Sequence, residues 1–304
     1  MLIDLQLHST FSDGYLSPSE LVDFAKERSI KVISLTDHHT TAGLEEFRQA
    51  AKRANIKTID GVELYLKYRG RGFNAVWYNF SLNNEKLERV LSDVRRRRII
   101  LVRRSLKRLK EAGYKIDIEK ILSSFDNYIP VNRLAEMVMS DKHNYDLVVK
   151  SLRAKTPKGT RLILPLREES VLSELFFNRK RGVLKEAYIS AERIVKIKAE
   201  VGGQIVFAHP GKYNKYTNNM TERLQKIGLI DGIEVLSPHH NIGAIMYSQF
   251  LAEKLDLIAT GGSDFHLFEK DVPINDAWDW FKIDDQYLRR IDEIINYKKY
   301  GQKK

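Results

Sequence analysis

Residues 2–40 read LIDLQLHSTFSDGYLSPSELVDFAKERSIKVISLTDHHT, and their hydropathy pattern decides the fold class. In LIDLQLH (2–8), Ile3, Leu5 and Leu7 fall on one side while Asp4, Gln6 and His8 fall on the other, which is the two-residue period of a strand. SPSELVDFAKERS (17–29) then switches to helical spacing. It opens on a start signal, with Ser17 followed by Pro18 and by Glu20 three residues on. KVISLTD (31–37) is apolar and β-branched again. Strand, helix and strand in so short a span make a βα unit, and βα units imply a largely parallel sheet. The rhythm continues with a helix at 40–54 and a strand at TIDGVEL (58–64). It resumes with QIVFAHPG (204–211), DGIEVLSP (231–238) and DLIATGGSDFH (256–266). Between these stretches the pattern is mainly helical, with loops expected at 123–130 and 154–160. The economical organisation is one discontinuous βα domain, 1–80 and 201–304, interrupted by a helical insertion, 81–200.

Composition narrows the class further. A chain of 304 residues with 43% hydrophobic side chains supports a substantial core, either as two domains or as one large α/β barrel with an insertion. There is no cysteine, which removes disulfides, thiolate metal sites and cysteine nucleophiles. No apolar run approaches the roughly 20 residues of a membrane span, and the first residues lack the basic and apolar regions of a secretory leader. A cytoplasmic enzyme with no membrane association is expected. The net charge of +11 sits entirely in the insertion, where residues 81–200 hold 28 basic and 16 acidic side chains. Arg95 to Lys110 carries nine basic residues and no acidic one. Apolar positions 87, 90, 91, 94, 101, 102, 106 and 109 make this an amphipathic helix with a basic face. Such a face is either simply solvated or attracts a phosphorylated substrate or an RNA or DNA oligonucleotide. The run holds no aromatic residue for base stacking.

Seven of the eight histidines (8, 38, 39, 209, 239, 240 and 266, but not 143) lie within or just after an expected strand. One histidine so placed is usually structural. Seven at strand ends are another matter, because in βα barrels functional groups gather where the strands end. Ser12-Asp13-Gly14 follows the first strand, Thr36-Asp37-His38-His39 the second, and Glu63 stands in the third. Asp264 and His266, two apart, share a direction. His8, His38, His209 and His266 together with Asp13, Glu63 and Asp264 form a sulfur-free set suited to Zn, Mn or Fe, with Mg also in range. Seven ligands exceed the needs of one ion. His143 is expected on the surface.

The motifs LQLHSTFSDG (5–14), TDHHTTAGL (36–44), GVEL (61–64), FAHPGKY (207–213), GIEVLSPHH (232–240) and GGSDFH (261–266) resemble, in order, those of the PHP (polymerase and histidinol phosphatase) superfamily. The resemblance implies a distorted (βα)7 TIM-like barrel, one to three divalent metal ions and hydrolysis of phosphate esters. The insertion is similar to that of the branch holding nucleoside-monophosphate phosphatases and small-RNA exonucleases. Carried over by position, His8, Glu63 and Asp264 hold one ion and Glu63 bridges to a second with His209. Asp13, His38 and His266 hold a third and form the catalytic set. Three positions depart from the pattern. Gln6 stands for the first His of an H-x-H pair, Asn74 for a metal-binding His, and Ala135 for the His of a Gly-Arg-Pro-His segment of which only Arg133 remains.

The expected reaction is attack of metal-activated water on the phosphorus of a phosphomonoester, nucleotide or oligonucleotide. Arg133 is expected to clamp phosphate and His240 to contact substrate, with His239 pointing elsewhere. The competing class is a barrel with an impaired centre that binds or regulates through a nucleotide or nucleic acid. A third reading keeps the metals and hydrolyses an amide or carboxylic ester.

Overall fold

The strands expected near both ends of the chain belong to one sheet. In this computed structural model, residues 1–157, 164, 166–177, 183–266 and 281–297 are described; part of the loop expected at 154–160 lies outside them. Nine strands are found among the described residues: β1 (Leu2–Leu7), β2 (Val32–Leu35), β3 (Lys57–Tyr68), β4 (Arg71–Tyr78), β5 (Ile189–Ser190), β6 (Gln204–Phe207), β7 (Gly232–Leu236), β8 (Ile258–Gly261) and β9 (Ile283–Asp284). They pair in the order β8-β7-β6-β4-β3-β2-β1-β9, with β5 on β3. Leu7, at the end of β1, bridges Phe265 just past β8, so seven strands form a nearly closed barrel.

The parallel pairing implied by the βα rhythm holds for β1, β2 and β3 and again for β6, β7 and β8. The short β9 runs antiparallel to β1, and among the seven barrel strands β4 is the exception, antiparallel to both its neighbours. The cause is local. Arg69 and Gly70 have φ of 46° and 83°, the two positive values that a tight two-residue hairpin turn needs. Pairing then runs unbroken from Tyr68 with Arg71 to Gly61 with Tyr78.

Helices α1 (Pro18–Glu27) and α2 (Leu44–Ala54) follow β1 and β2. The start signal of α1 forms as expected: Ser17 Oγ accepts from the Glu20 amide at 3.3 Å and Glu20 Oε2 accepts from the Ser17 amide at 2.7 Å. Ser17→Ala removes half of this exchange and is expected to cost about 1 kcal/mol, visible as a small drop in the thermal midpoint with activity unchanged.

Two compact units divide the chain, Met1–Leu91 with Tyr188–Lys304, and Ser92–Ala187. The expected insertion limits were 80/81 and 200/201. Helix α3 (Glu85–Glu111) begins in the first unit, and the segment Ala191–Val201 packs on β3 and β5. In the second unit, Val102, Leu106 and Leu109 of α3 form a core with Leu134 and Val138 of α5 (Val131–Met139), Val148 of α6 (Lys142–Lys155) and Leu175 of α7 (Glu168–Leu175); α4 is Ile118–Leu122. Arg98, one of the nine basic residues, is structural. It is 3% exposed, donates to the Ile129 carbonyl at 3.1 Å and pairs with Glu186 at 2.8 Å. Arg103 pairs with Glu119. Arg133 lies half-buried on α5, Ala135 is in the core, and His143 is exposed with its Nε2 on the Gly113 carbonyl at 3.1 Å. Among the described residues, no helix is long and apolar enough to cross a membrane.

Candidate metal centre

Both faces of β1 are buried, and that turns its polar face into a site. Asp4, Gln6 and His8 are 4%, 1% and 0% exposed, and buried polar groups of this kind must find partners. His8 Nε2 lies 3.1 Å from both Glu63 Oε2 and Asp264 Oδ1, and its Nδ1 lies 3.5 Å from Asp13 Oδ1. Asp13 reaches on to His38 Nε2 at 3.2 Å and His266 Nε2 at 3.4 Å. The other Glu63 oxygen is 3.1 Å from His209 Nε2. The ring of His8 stacks on that of His266, centroids 4.3 Å apart. All seven residues expected as ligands therefore meet in one cluster. Within it, ligand atoms of His8, Asp13, His38 and His266 lie within 4.8 Å of one another, and so do those of His8, Glu63 and Asp264.

The chain builds this cluster from short, constrained turns. Asp37 gathers the loop after β1, accepting from the Ser9 amide at 2.8 Å and from the Ser9 and Ser12 hydroxyls, both at 2.6 Å. A Cβ on Gly14 would sit 2.0 Å from the His8 carbonyl oxygen, so only glycine lets Asp13 fold back over the strand end. His209 and Asp264 have φ of 29° and 51°, backbone strain of the kind concentrated where function fixes a side chain. The Ser263 amide donates to Asp4 Oδ1 at 2.8 Å, tying the turn after β8 to β1.

Electrostatics sort the buried acids into two groups. Burial works against ionisation of Asp13, Glu63 and Asp264, but the surrounding imidazoles outweigh it and hold all three well below the usual carboxylate range. Burial likewise opposes charge on His8 and His266. Their carboxylate neighbours prevail, and both imidazoles are raised. At Glu234 and Asp4 burial is not offset, although the Lys212 ammonium draws Glu234 part of the way back. Burial, aided by the negative charge of Asp264, lifts Glu234 well above its ordinary value and Asp4 to about 6.

The two tandem histidine pairs resolve differently. His38 enters the cluster, with Tyr65 Oη at 3.0 Å from its Nε2, while His39 turns to φ 55° and its Nε2 accepts from the Tyr65 amide at 3.3 Å. In the second pair the inward residue is His239, not His240. His239 Nε2 lies 2.7 Å from Asp264 Oδ2, and its ring meets that of His209 edge-on. His240 is buried, with Nδ1 on the Val235 carbonyl at 2.8 Å and Nε2 accepting from the Gly211 amide at 3.1 Å. Backbone occupies both nitrogens of the histidine expected to touch substrate. Lys212, also outside the expected set, places Nζ 3.4 Å from Asp264 Oδ2. Glu234 is a further unexpected acid, accepting from the His209 amide at 2.5 Å.

The two amides at departing positions also face the cluster. Gln6 Nε2 donates to Glu63 Oε2 at 3.1 Å and to Asp264 Oδ1 at 3.0 Å, and Asn74 Nδ2 donates to Glu63 Oε1 at 2.8 Å. Gln6 Oε1 and His209 Nδ1 are buried without a hydrogen-bond partner among the described residues. Orphaned polar atoms beside converging imidazoles and carboxylates fit a divalent cation bound through nitrogen and oxygen.

Comparison with known proteins agrees with this geometry. The PHP domain matches residues 4–231. The chain is 28% identical to the phosphoribosyl 1,2-cyclic phosphate 1,2-diphosphodiesterase of Eggerthella lenta, over 88% of this chain and 94% of that protein. It is 30% identical to the 3',5'-nucleoside bisphosphate phosphatase of Chromobacterium violaceum, covering 87% of each. Among solved structures it resembles an amidohydrolase from Chromobacterium violaceum with bound sulfate and no metal, at a TM-score of 0.69, with 27% identity over 89% of both chains. Barrel, cluster and sequence agree, and the chain belongs to the PHP domain family.

Proposed function

We propose that this chain is a metal-dependent phosphoesterase acting on a nucleotide or related ribose phosphate, with an oligonucleotide as the larger alternative. The observation that carries this reading is the approach of Asp13 to His8, His38 and His266, four ligands from three separate stretches of chain. Asp13, His38 and His266 make up the catalytic set. His8, Glu63, His209 and Asp264 adjoin that set, and nitrogen and oxygen groups of this kind suit Mn, Zn or Fe, with Mg also accommodated. A divalent ion held there would neutralise phosphate oxygens and make water nucleophilic near neutral pH.

The chain's own groups do the rest. Tyr65 holds the His38 ring, and Asp37 holds the loop that carries Asp13. Lys212 and His239 both reach the outer oxygen of Asp264, where they offer N–H donors to a phosphate. Beside His239 is a cavity of about 300 Å³, lined by Gly211, Thr217, Asn241, Ala244 and Tyr247 among others. That volume suits a leaving group of nucleoside size. A cytoplasmic setting fits substrates of this class.

Release of inorganic phosphate from nucleoside monophosphates, nucleoside bisphosphates and short oligoribonucleotides, with Mn, Zn or Mg supplied, tests the proposal; no release from any of them by metal-loaded protein would sink it. Lys212→Met is expected to raise KM about tenfold, the worth of one charge-assisted hydrogen bond, with kcat changed much less. Gln6 and Asn74 favour one second reading, a centre that binds nucleotides without turning them over. Its signature would be binding with a steep salt dependence and no phosphate release.

A further inference from the structure

The amides of Gln6 and Asn74 point to a specific departure in how this centre handles cations. We propose that the chain holds a single divalent ion tightly, in the group formed by His8, Asp13, His38 and His266. On the Glu63–Asp264 side, amide hydrogens from Gln6 and Asn74 do what a second cation would do. The inference rests on the reading of the cluster as a metal centre and specifies how many ions it keeps.

The contacts make the case. Each Glu63 oxygen receives an amide hydrogen, Oε2 from Gln6 and Oε1 from Asn74, and Gln6 also reaches Asp264 Oδ1. The Gln6 NH2 group thus joins Glu63 Oε2 and Asp264 Oδ1, the two oxygens that would share an ion with His8 Nε2. An amide satisfies those oxygens with partial positive charge and without stripping water from a dication.

Neither amide turns over without loss. Tyr213 Oη donates to Asn74 Oδ1 at 3.4 Å and accepts from the Asn74 backbone amide at 2.9 Å, which fixes the NH2 end toward Glu63. Rotating Gln6 would bring its orphaned Oε1 inward. It would also give up two hydrogen bonds to carboxylates and offer a neutral oxygen as ligand. The Asp13 group differs in kind. The nitrogens of His8, His38 and His266 facing Asp13 belong to imidazoles, which offer a lone pair to a cation as readily as a hydrogen to a carboxylate.

Metal stoichiometry decides the matter independently of turnover. Protein equilibrated with excess Mn or Zn, freed of unbound ion by gel filtration and measured by elemental analysis, is expected to carry one ion per chain. The double variant Gln6→His with Asn74→His is expected to carry two. Because two added imidazoles could disturb the barrel, Gln6→Glu is the companion test; it removes both Gln6 donors, adds an anionic ligand and is also expected to raise the count to two. Thermal unfolding with and without metal verifies that each variant is folded. Two or more ions on the native chain would overturn the inference and leave the phosphoesterase reading standing. One ion on the native chain and on every folded variant would overturn the role given to the amides. No ion on the native chain would remove the metal centre itself.

Discussion

Exchanging Asp13 for Asn is expected to lower phosphate release by on the order of a thousandfold, the scale seen when a preorganised electrostatic partner is lost from a reacting centre. Asp13 supplies the carboxylate of its group. Its two oxygens face His8, His38 and His266 at 3.2 to 3.5 Å. Asparagine keeps the shape but replaces one oxygen by an NH2 group, so an anionic ligand becomes a neutral one. Bound metal should fall in parallel with turnover, and His38→Ala should act in the same direction. The fold should survive, because the loop carrying Asp13 is tied down by Asp37 through Ser9 and Ser12. Far-ultraviolet circular dichroism and elemental analysis of the same preparations separate loss of chemistry from loss of structure. Turnover within about tenfold of the native chain, at unchanged metal content, would take Asp13 out of the mechanism.

The sequence made β1 readable because alternation is a physical period. Once Ile3, Leu5 and Leu7 are committed to one side, Asp4, Gln6 and His8 have only the other. The β3–β4 hairpin was not readable, since Arg69-Gly70 is a weak turn signal beside the Asn-Gly or Asp-Gly dipeptides that usually mark such a turn. The tandem histidines show the same limit in the site. Neighbouring side chains leave the backbone in different directions, but which of two enters a cluster depends on what captures the other. The amide of Tyr65 captures His39, and the Val235 carbonyl and Gly211 amide capture His240. Those captors lie on other turns of the chain, so adjacency alone could not single out His239. Glu234 did leave a trace. It is the one charged residue in GIEVL (232–236), and a lone acid between Ile233 and Val235 in a buried strand requires a partner inside the barrel.

Asp4 gives the second large effect, and its sign follows from where its proton binds. Burial pushes this carboxyl from 3.8 up to about 6, with hydrogen bonds from Ser263 and Gln6 drawing it part of the way back. The folded state therefore binds the proton more tightly than the unfolded chain. The stability this confers is complete below about pH 4 and is lost as pH rises through 6. Above that range the ionised Asp4 costs about 3 kcal/mol relative to a neutral isostere. Asp4→Asn removes the charge and keeps an oxygen to accept from the Ser263 and Gln6 amides, which both reach Asp4 Oδ1. In chelator-treated protein, urea unfolding is expected to find the variant about 3 kcal/mol more stable than the native chain at pH 8, with the gap closing between pH 6 and pH 4. Asp13, Glu63 and Asp264, held below their ordinary values, act in the opposite sense, since their contribution is lost as pH falls. They are common to both proteins, so the difference between variant and native chain isolates Asp4. A gap that stayed constant from pH 4 to pH 8 would show that Asp4 stays charged in the folded barrel, and its negative charge would then have to be counted with those of Glu63 and Asp264.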